Sequence, residues 1–312
     1  MTSVQAALAR WGFDGGRATL IAARENKVYR IDHAGQSFAL RLHRRGYRQD
    51  AELSAELDWM AWLAQNGLSV PHPIASARGA HLEHVQGVQV DVLSWVAGTT
   101  LDQILPDADG PTRAALFREL GVQMARLHAM SDAWPGAATC ARAHWDGEGL
   151  LGADPLWGRF WENPDLSQDQ RAMLIAFREA ARAQLNSRSP ELDYGLIHAD
   201  LVSQNVMVEG ERIHLIDFDD GGFGFRIFEV ATALYPHRFA ADFETLKSGL
   251  IAGYRSERAL DVAALELFMA LRAVTYVGWN IPRMSEDPSA GRNARYIAAA
   301  LAQAEAWGAT QG

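Results

Sequence analysis

Cysteine and lysine are nearly missing from this chain of 312 residues. The single cysteine, Cys140, excludes an internal disulfide and suits a reducing compartment. It has no His or Cys at ligand spacing, so neither thiol catalysis nor zinc is indicated. No apolar run approaches the roughly 20 residues that a membrane span needs. Met1–Leu8 has neither the basic start nor the apolar run of a signal peptide. A cytoplasmic protein is the expectation. Excess positive charge is also lacking. The formal net charge of -9 argues against nucleic acid or an anionic membrane as the main partner. Basic character rests on arginine, with Lys27 and Lys247 the only lysines. Internal repeats, low-complexity tracts and heptads are absent.

What is present divides into two regions. Val4, Leu8 and Trp11 stand at helical spacing and predict a short opening helix. Ala18–Ile21, Lys27–Ile31 and Ser37–His43 are rich in β-formers, and turns at 24–26 and 33–35 separate them, which predicts an antiparallel meander. Residues 50–65 place Leu53, Leu57, Met60 and Leu63 on one face of a helix that Asn66-Gly67 ends. Two strands follow near 81–85 and 88–96, then a boundary at Gly98 and 107–111. Leu116, Leu120, Met124 and Leu127 form the apolar stripe of a helix over 112–130. Segment 131–166, rich in Trp, Gly and Pro, has no period and reads as a loop with short helical turns. A helix over 167–186 starts at Ser167, a hairpin spans 194–218, and helices run from 227 to 309 with breaks at Pro236, Gly253 and 278–288. The prediction is an α+β protein with a β-rich N-terminal lobe over 1–97 and a mostly helical C-terminal lobe over 98–312.

The chemistry concentrates in Leu196-Ile-His198-Ala-Asp200-Leu-Val-Ser-Gln-Asn205 and, shortly after, His214-Leu-Ile-Asp217-Phe-Asp-Asp220. Phosphoryl transfer from ATP needs a carboxylate to take the proton of an attacking hydroxyl and oxygen ligands to hold magnesium on the phosphates. His-x-Asp-x-x-x-x-Asn followed by Asp-Phe supplies both at kinase spacing. Asp200 lies on the turn where a general base would sit. Asn205 and Asp217 offer a neutral and a charged oxygen, enough for magnesium, which takes few protein ligands. Upstream, alternation along the strand puts Ala39 and Arg41 on one face and Phe38, Leu40 and Leu42 on the other. A small residue and a cation two apart on the third strand are what a nucleotide-binding face uses. A Glu on the next helix should pair with Arg41. Glu52 and Glu56 are the candidates, and Glu56 is preferred because the apolar run Leu57–Leu63 follows it directly.

With these residues in order, the chain resembles the aminoglycoside phosphotransferase and choline kinase-like superfamily, the small-molecule relatives of protein kinases. The resemblance is carried by Glu25-Asn-Lys-Val-Tyr-Arg30, Phe38-Ala-Leu-Arg41, Glu56–Leu63, Leu93-Ser-Trp-Val-Ala-Gly98, Leu120–His128, His198–Asn205 and Ile216-Asp-Phe-Asp-Asp220. The Asn26 turn and the Ile-Asp-Phe-Asp-Asp run are also similar to the homoserine kinase-like and stress-response kinase branches. The resemblance implies a two-lobed protein kinase-like fold and ATP with magnesium, bound between the lobes. It implies Asp200 as base, Asn205 and Asp217 as metal ligands, and backbone of Ser94 and Val96 against adenine. The Glu25-Asn26 turn, which carries no glycine, would cover the phosphates. The acceptor implied is a small-molecule hydroxyl: an amino alcohol, an aminoglycoside or a homoserine-like compound. A Ser/Thr protein kinase of the stress-response type and a nucleotide-binding pseudokinase are the alternatives. Two departures stand out: Arg41 where many kinases have lysine, which exchanges a compact ammonium for a planar fork, and Phe228-Glu229-Val-Ala where relatives have Asp-Leu-Ala. Glu229 would then support the catalytic loop from below.

Overall fold

The computed structural model describes residues 3–23, 26–286 and 291–310. Glu25, half of the expected phosphate-covering turn, lies outside them, as does Pro288. The chain divides into two units. The first contains Met1–Pro106, Ala129–Arg142 and Gln204–Asp219, and the second Asp107–His128, Ala143–Ser203 and Asp220–Gly312.

In the first unit, helix α1 (Ser3–Arg10) precedes strands β1 (Arg17–Ala23), β2 (Lys27–His33) and β3 (Gln36–Leu42). Helix α2 (Asp50–Gln65) and strands β4 (Leu82–Val85) and β5 (Val88–Ser94) follow. The strands form one antiparallel sheet in the order β1-β2-β3-β5-β4. The meander reflects β-branched and aromatic residues, with a β2–β3 turn at which Ala34 and Gly35 take positive φ. One side of the sheet is apolar: Ile31, Leu40, Val90 and Val92 are fully buried, together with Ala7 of α1. Helix α2 buries the predicted stripe Leu53, Leu57, Met60 and Leu63, and with it Glu56. A second, three-stranded sheet joins β6 (Thr99–Thr100), β9 (Val206–Glu209) and β10 (Arg212–Leu215).

The second unit is helical. Helix α3 (Leu101–Ile104) belongs to the first unit, and α4 (Gly110–Asp132) lies in the second through His128. The second unit adds β7 (His144–Trp145), α5 (Gly147–Leu151), α6 (Gln168–Arg188), β8 (Tyr194–Ile197), β11 (Gly222–Phe225), α7 (Arg226–Leu234), α8 (Phe243–Glu257), α9 (Leu265–Asn280) and α10 (Arg292–Ala309). The start of α6 is as predicted: the Ser167 hydroxyl accepts from the Gln170 amide at 3.2 Å, and the Gln170 side chain accepts from the Ser167 amide at 3.0 Å. Among the described residues no helix is long and apolar enough to cross a membrane.

Three local expectations need correction. Strand β8 does not form a hairpin with β9. It pairs with β11, which follows the Asp217 loop, and β9 pairs with β10 across the Gly210 turn. The distant partner wins because Gly222 and Gly224 let β11 pack closely against the Ala143 carbonyl and against Trp145 and Ile197. Gly253 and Gly278 do not break helices; they lie within α8 and α9. Gly253 is there because a Cβ would collide with the Arg118 carbonyl of α4. The stripe of α4 is also shifted, with Phe117 buried and not Leu116.

Candidate active site

The first unit holds a buried charge network on the sheet face opposite the apolar core. Arg41 of β3 is only 6% exposed. Its guanidinium donates Nη1 to Glu56 Oε1 at 2.8 Å, which places the α2 partner at Glu56 and not at Glu52. The same fork grips a second acid: Nε donates to Asp91 Oδ1 at 2.7 Å and Nη2 to Asp91 Oδ2 at 2.9 Å. Asp91 stands directly opposite Arg41 in the β3–β5 register. Opposite charges at such a position stabilise the pairing. His43 Nε2 lies 2.6 Å from Asp91 Oδ2. Burial alone would raise the Asp91 carboxyl, but the charges of Arg41 and His43 hold it down at about 2. Burial acts in the same way on Glu56 and is outweighed by Arg41 and Arg142, so Glu56 is also lowered. Arg142 Nη1 donates to Glu56 Oε2 at 3.0 Å, and its Nη2 reaches the carbonyls of Phe218 and Asp219 at 3.0 and 2.5 Å.

The remaining expected residues of this unit fall as follows. Ala39 is half-buried on β3, across from Leu93. Ser94 ends β5; its amide donates to the His72 carbonyl at 2.9 Å and its hydroxyl accepts from the His72 amide at 3.0 Å. Val96 follows outside any strand and is half-buried, and Asn26 lies in a bend before β2. Asn205 ends a single 3-10 turn and is 9% exposed. Its carbonyl accepts from the Ile216 amide at 3.0 Å, which ties the turn to the strand end beside Asp217. Asp217 is exposed and takes φ 67, a left-handed conformation that costs a non-glycine residue free energy. Phe218 next to it is fully buried, edge-on to Trp59 at 5.2 Å.

The second unit holds Asp200. The side chain is 25% exposed, and Arg272 of α9 donates Nη2 to its Oδ1 at 2.6 Å. Arg272 is fully buried between aromatic rings, 4.4 Å from the Trp157 centroid and 4.5 Å from that of Tyr276. Its Nη2 also donates to the Tyr276 hydroxyl at 3.0 Å. Burial opposes the charge on Arg272, yet Tyr276 and Asp200 raise its pKa. Ala199, just before Asp200, has φ 66, and its amide donates to Glu229 Oε2 at 2.7 Å. Glu229 Oε1 lies 3.1 Å from His128 Nε2, and His128 Nδ1 lies 2.8 Å from the Tyr254 hydroxyl. All three side chains are fully buried.

Burial pushes Glu229 up to about 7, against the opposing hydrogen bond from Ala199. Burial and Arg226 push His128 well below the usual histidine range, so it is neutral. The folded-state value of Glu229 therefore lies above its ordinary 4.5. Its contribution to stability is complete below that ordinary value and is lost as pH rises through about 7. His128 titrates in the opposite sense, so the informative quantity is the difference from Glu229→Gln, which mimics the protonated acid. The variant should gain stability over wild type between pH 5 and 7, by up to about 3 kcal/mol. Urea unfolding across this range checks it, and a constant difference would show that Glu229 keeps its charge in the fold.

Asp91, His43, Arg142, Arg272 and Tyr276 were not expected from the sequence. Two carried a signal. Arg272 is the one charge inside Leu267-Phe-Met-Ala-Leu-Arg-Ala-Val-Thr-Tyr-Val277, and Asp91 is the one charge inside Val88-Gln-Val-Asp-Val-Leu-Ser94. A buried charge needs a partner. A different pattern is misleading: Gly147-Glu-Gly149-Leu-Leu-Gly152 has the spacing of a phosphate-binding fingerprint. Its first amides are already satisfied, because Asp146 Oδ1 accepts from Glu148 and Gly149 at 3.0 and 2.8 Å.

The chain is similar to known phosphotransferases along most of its length. The family described as "Phosphotransferase enzyme family" matches residues 17–266. Homoserine kinase of Sinorhizobium fredii is 32% identical over 251 residues, covering 78% of this chain and 72% of its own. The solved structure of a microcompartment-associated aminopropanol kinase is 29% identical with a TM-score of 0.86, covering 99% of this chain and 98% of its own. Amicoumacin kinase hAmiN, solved with AMP-PNP, Ca2+ and Ami, shares the fold at a TM-score of 0.79 and 23% identity, covering 96% and 92%. A β-rich N-terminal region, a helical C-terminal part and a family match spanning both lead to one assignment: the chain is a kinase of the phosphotransferase enzyme family.

Proposed function

We propose that this kinase moves the γ-phosphate of ATP, with magnesium, to a hydroxyl of a small molecule. The observation that carries this is Asp200, a solvent-reachable carboxylate held in place by Arg272, on a backbone that Glu229 anchors at the preceding amide. As the acceptor oxygen attacks the γ-phosphorus, Asp200 takes the hydroxyl proton, the bond from phosphorus to the β-γ bridging oxygen breaks, and ADP leaves. Residues 1–97 would bind the nucleotide and 98–312 carry the base and the acceptor site. Asn205 and Asp217 fit magnesium. Their side-chain oxygens are hard donors, one neutral and one charged, and the Ile216–Asn205 hydrogen bond ties their backbones together. Bound there, the metal would neutralise phosphate charge. Arg41 would act through the Glu56 and Asp91 network, and Asn26, Ala39, Ser94 and Val96 would surround the nucleotide.

The acceptor is proposed as an amino alcohol, an aminoglycoside or a homoserine-like compound. The names of the similar proteins support that range, since they include an aminopropanol kinase, an amicoumacin kinase and a homoserine kinase. The test is ADP release with phosphorus NMR of the product over homoserine, aminopropanol, choline, aminoglycosides and Ser/Thr peptides. One phosphoester per ADP on a small molecule supports the proposal. Transfer to peptides alone would make it a protein kinase.

Nucleotide binding is tested separately by thermal unfolding. At ligand near 100 times Kd the native state gains about 2.7 kcal/mol. ATP with magnesium should therefore raise Tm clearly, and ATP alone less. An unchanged Tm at millimolar ATP and magnesium would remove the nucleotide from the proposal.

A further inference from the structure

The three residues after Asp217 share an arrangement that no kinase motif in the sequence foretells. Within the first unit, Arg142 donates Nη2 to the Phe218 carbonyl at 3.0 Å and to the Asp219 carbonyl at 2.5 Å. The Asp219 carbonyl also accepts Arg48 Nη2 at 2.9 Å. Within the second unit, Trp145 donates its indole N–H to the Asp220 carbonyl at 2.9 Å. Three successive carbonyls are thus taken by side chains from one four-residue segment, 142–145. The segment is itself anchored. Ala143 accepts from the Phe223 amide at 2.9 Å, and β7 pairs with β11 in parallel at His144–Phe223 and Trp145–Gly224. Arg142 and Trp145 are 5% and 2% exposed.

A loop carbonyl withdrawn from water needs a donor. Here the donors also set the backbone next to a residue at φ 67, a conformation that persists only where its surroundings over-determine it. At its other end, Arg142 is held by Glu56 Oε2, and Glu56 by Arg41. The network that starts at Asp91 therefore ends on the peptide groups beside the exposed carboxylate of Asp217. From this we infer that Arg142 and Trp145 are positioning residues for the metal-binding carboxylate, an inference that rests on the proposed role of Asp217. The fork of Arg142 matters, because one guanidinium must reach Glu56 and two carbonyls at once. An ammonium cannot span that set.

The test uses Arg142→Lys, which keeps a cation beside Glu56, and Trp145→Phe, which keeps the ring and removes the donor. Two quantities are read in the full chain. One is the magnesium concentration giving half of the magnesium-dependent rise in Tm at fixed ATP. The other is amide hydrogen exchange of the 216–222 peptide without any ligand. Arg142→Lys should raise the magnesium midpoint about tenfold and Trp145→Phe about threefold, and both should speed exchange at 216–222. For Trp145→Phe the Tm shift with ATP alone should stay at the wild-type value. Asp217→Asn is the reference. If it raises the midpoint while Arg142→Lys and Trp145→Phe stay within twofold of wild type, the positioning role is overturned and the metal assignment survives. If Asp217→Asn leaves the midpoint unchanged, both fall. Should Arg142→Lys fail to fold, Trp145→Phe decides alone.

Discussion

Asp200→Asn should lower turnover by roughly 10²–10⁴-fold or more, the range that positioned acid–base groups supply, or about 3–5 kcal/mol of barrier. Asparagine keeps the shape of the side chain and can still accept from Arg272, whose Nη2 lies 2.6 Å from Asp200 Oδ1. It cannot take the hydroxyl proton. Nucleotide affinity should change little, because the residues proposed to bind nucleotide and metal, Arg41, Glu56, Asn205 and Asp217, all belong to the other unit. Steady-state turnover on an identified acceptor, with ATP affinity by calorimetry, measures both. Turnover within a few-fold of wild type would take Asp200 out of the mechanism. An equal loss of ATP affinity would assign it a structural role.

The largest effect on stability should come from Asp91→Ala. Asp91 is fully buried and accepts twice from Arg41 at 2.7 and 2.9 Å, with His43 at 2.6 Å. Removing one member of a buried ion pair leaves the other charge uncompensated and destabilises by about 3–5 kcal/mol. Urea unfolding at pH 7 should show that loss. Its pH dependence is also determined. The Asp91 carboxyl is lowered to about 2 from an ordinary 3.8. Its contribution is therefore present above the ordinary value and is lost as pH falls through about 2. The difference between wild type and variant should shrink in acid. A loss below about 1 kcal/mol at pH 7 would mean that Arg41 is adequately compensated by Glu56 alone.

Local spacing made much of this legible. The meander, α2 with its buried stripe and the Ser167 cap follow from periodicities and turn residues a few positions apart. The run from His198 to Asp217 is equally local, since Asp200, Asn205 and Asp217 fall within 18 residues of sequence. Local order also predicts the hairpin over 194–218, which the fold does not form. Adjacent strands in sequence suggest pairing, but the glycines of β11 admit a closer partner from farther along the chain.

By itself, the sequence determined which residue types could do the chemistry and in what order they come. Only the tertiary structure decided what holds them. Arg41 meets an acid 50 positions away, Asp200 meets an arginine 72 positions away, and the backbone after Asp217 meets Arg142 from 76 positions before it. No periodicity records such pairs, because each depends on strand register or helix packing. A buried charge takes whichever opposite charge or carbonyl the folded chain brings within about 3 Å.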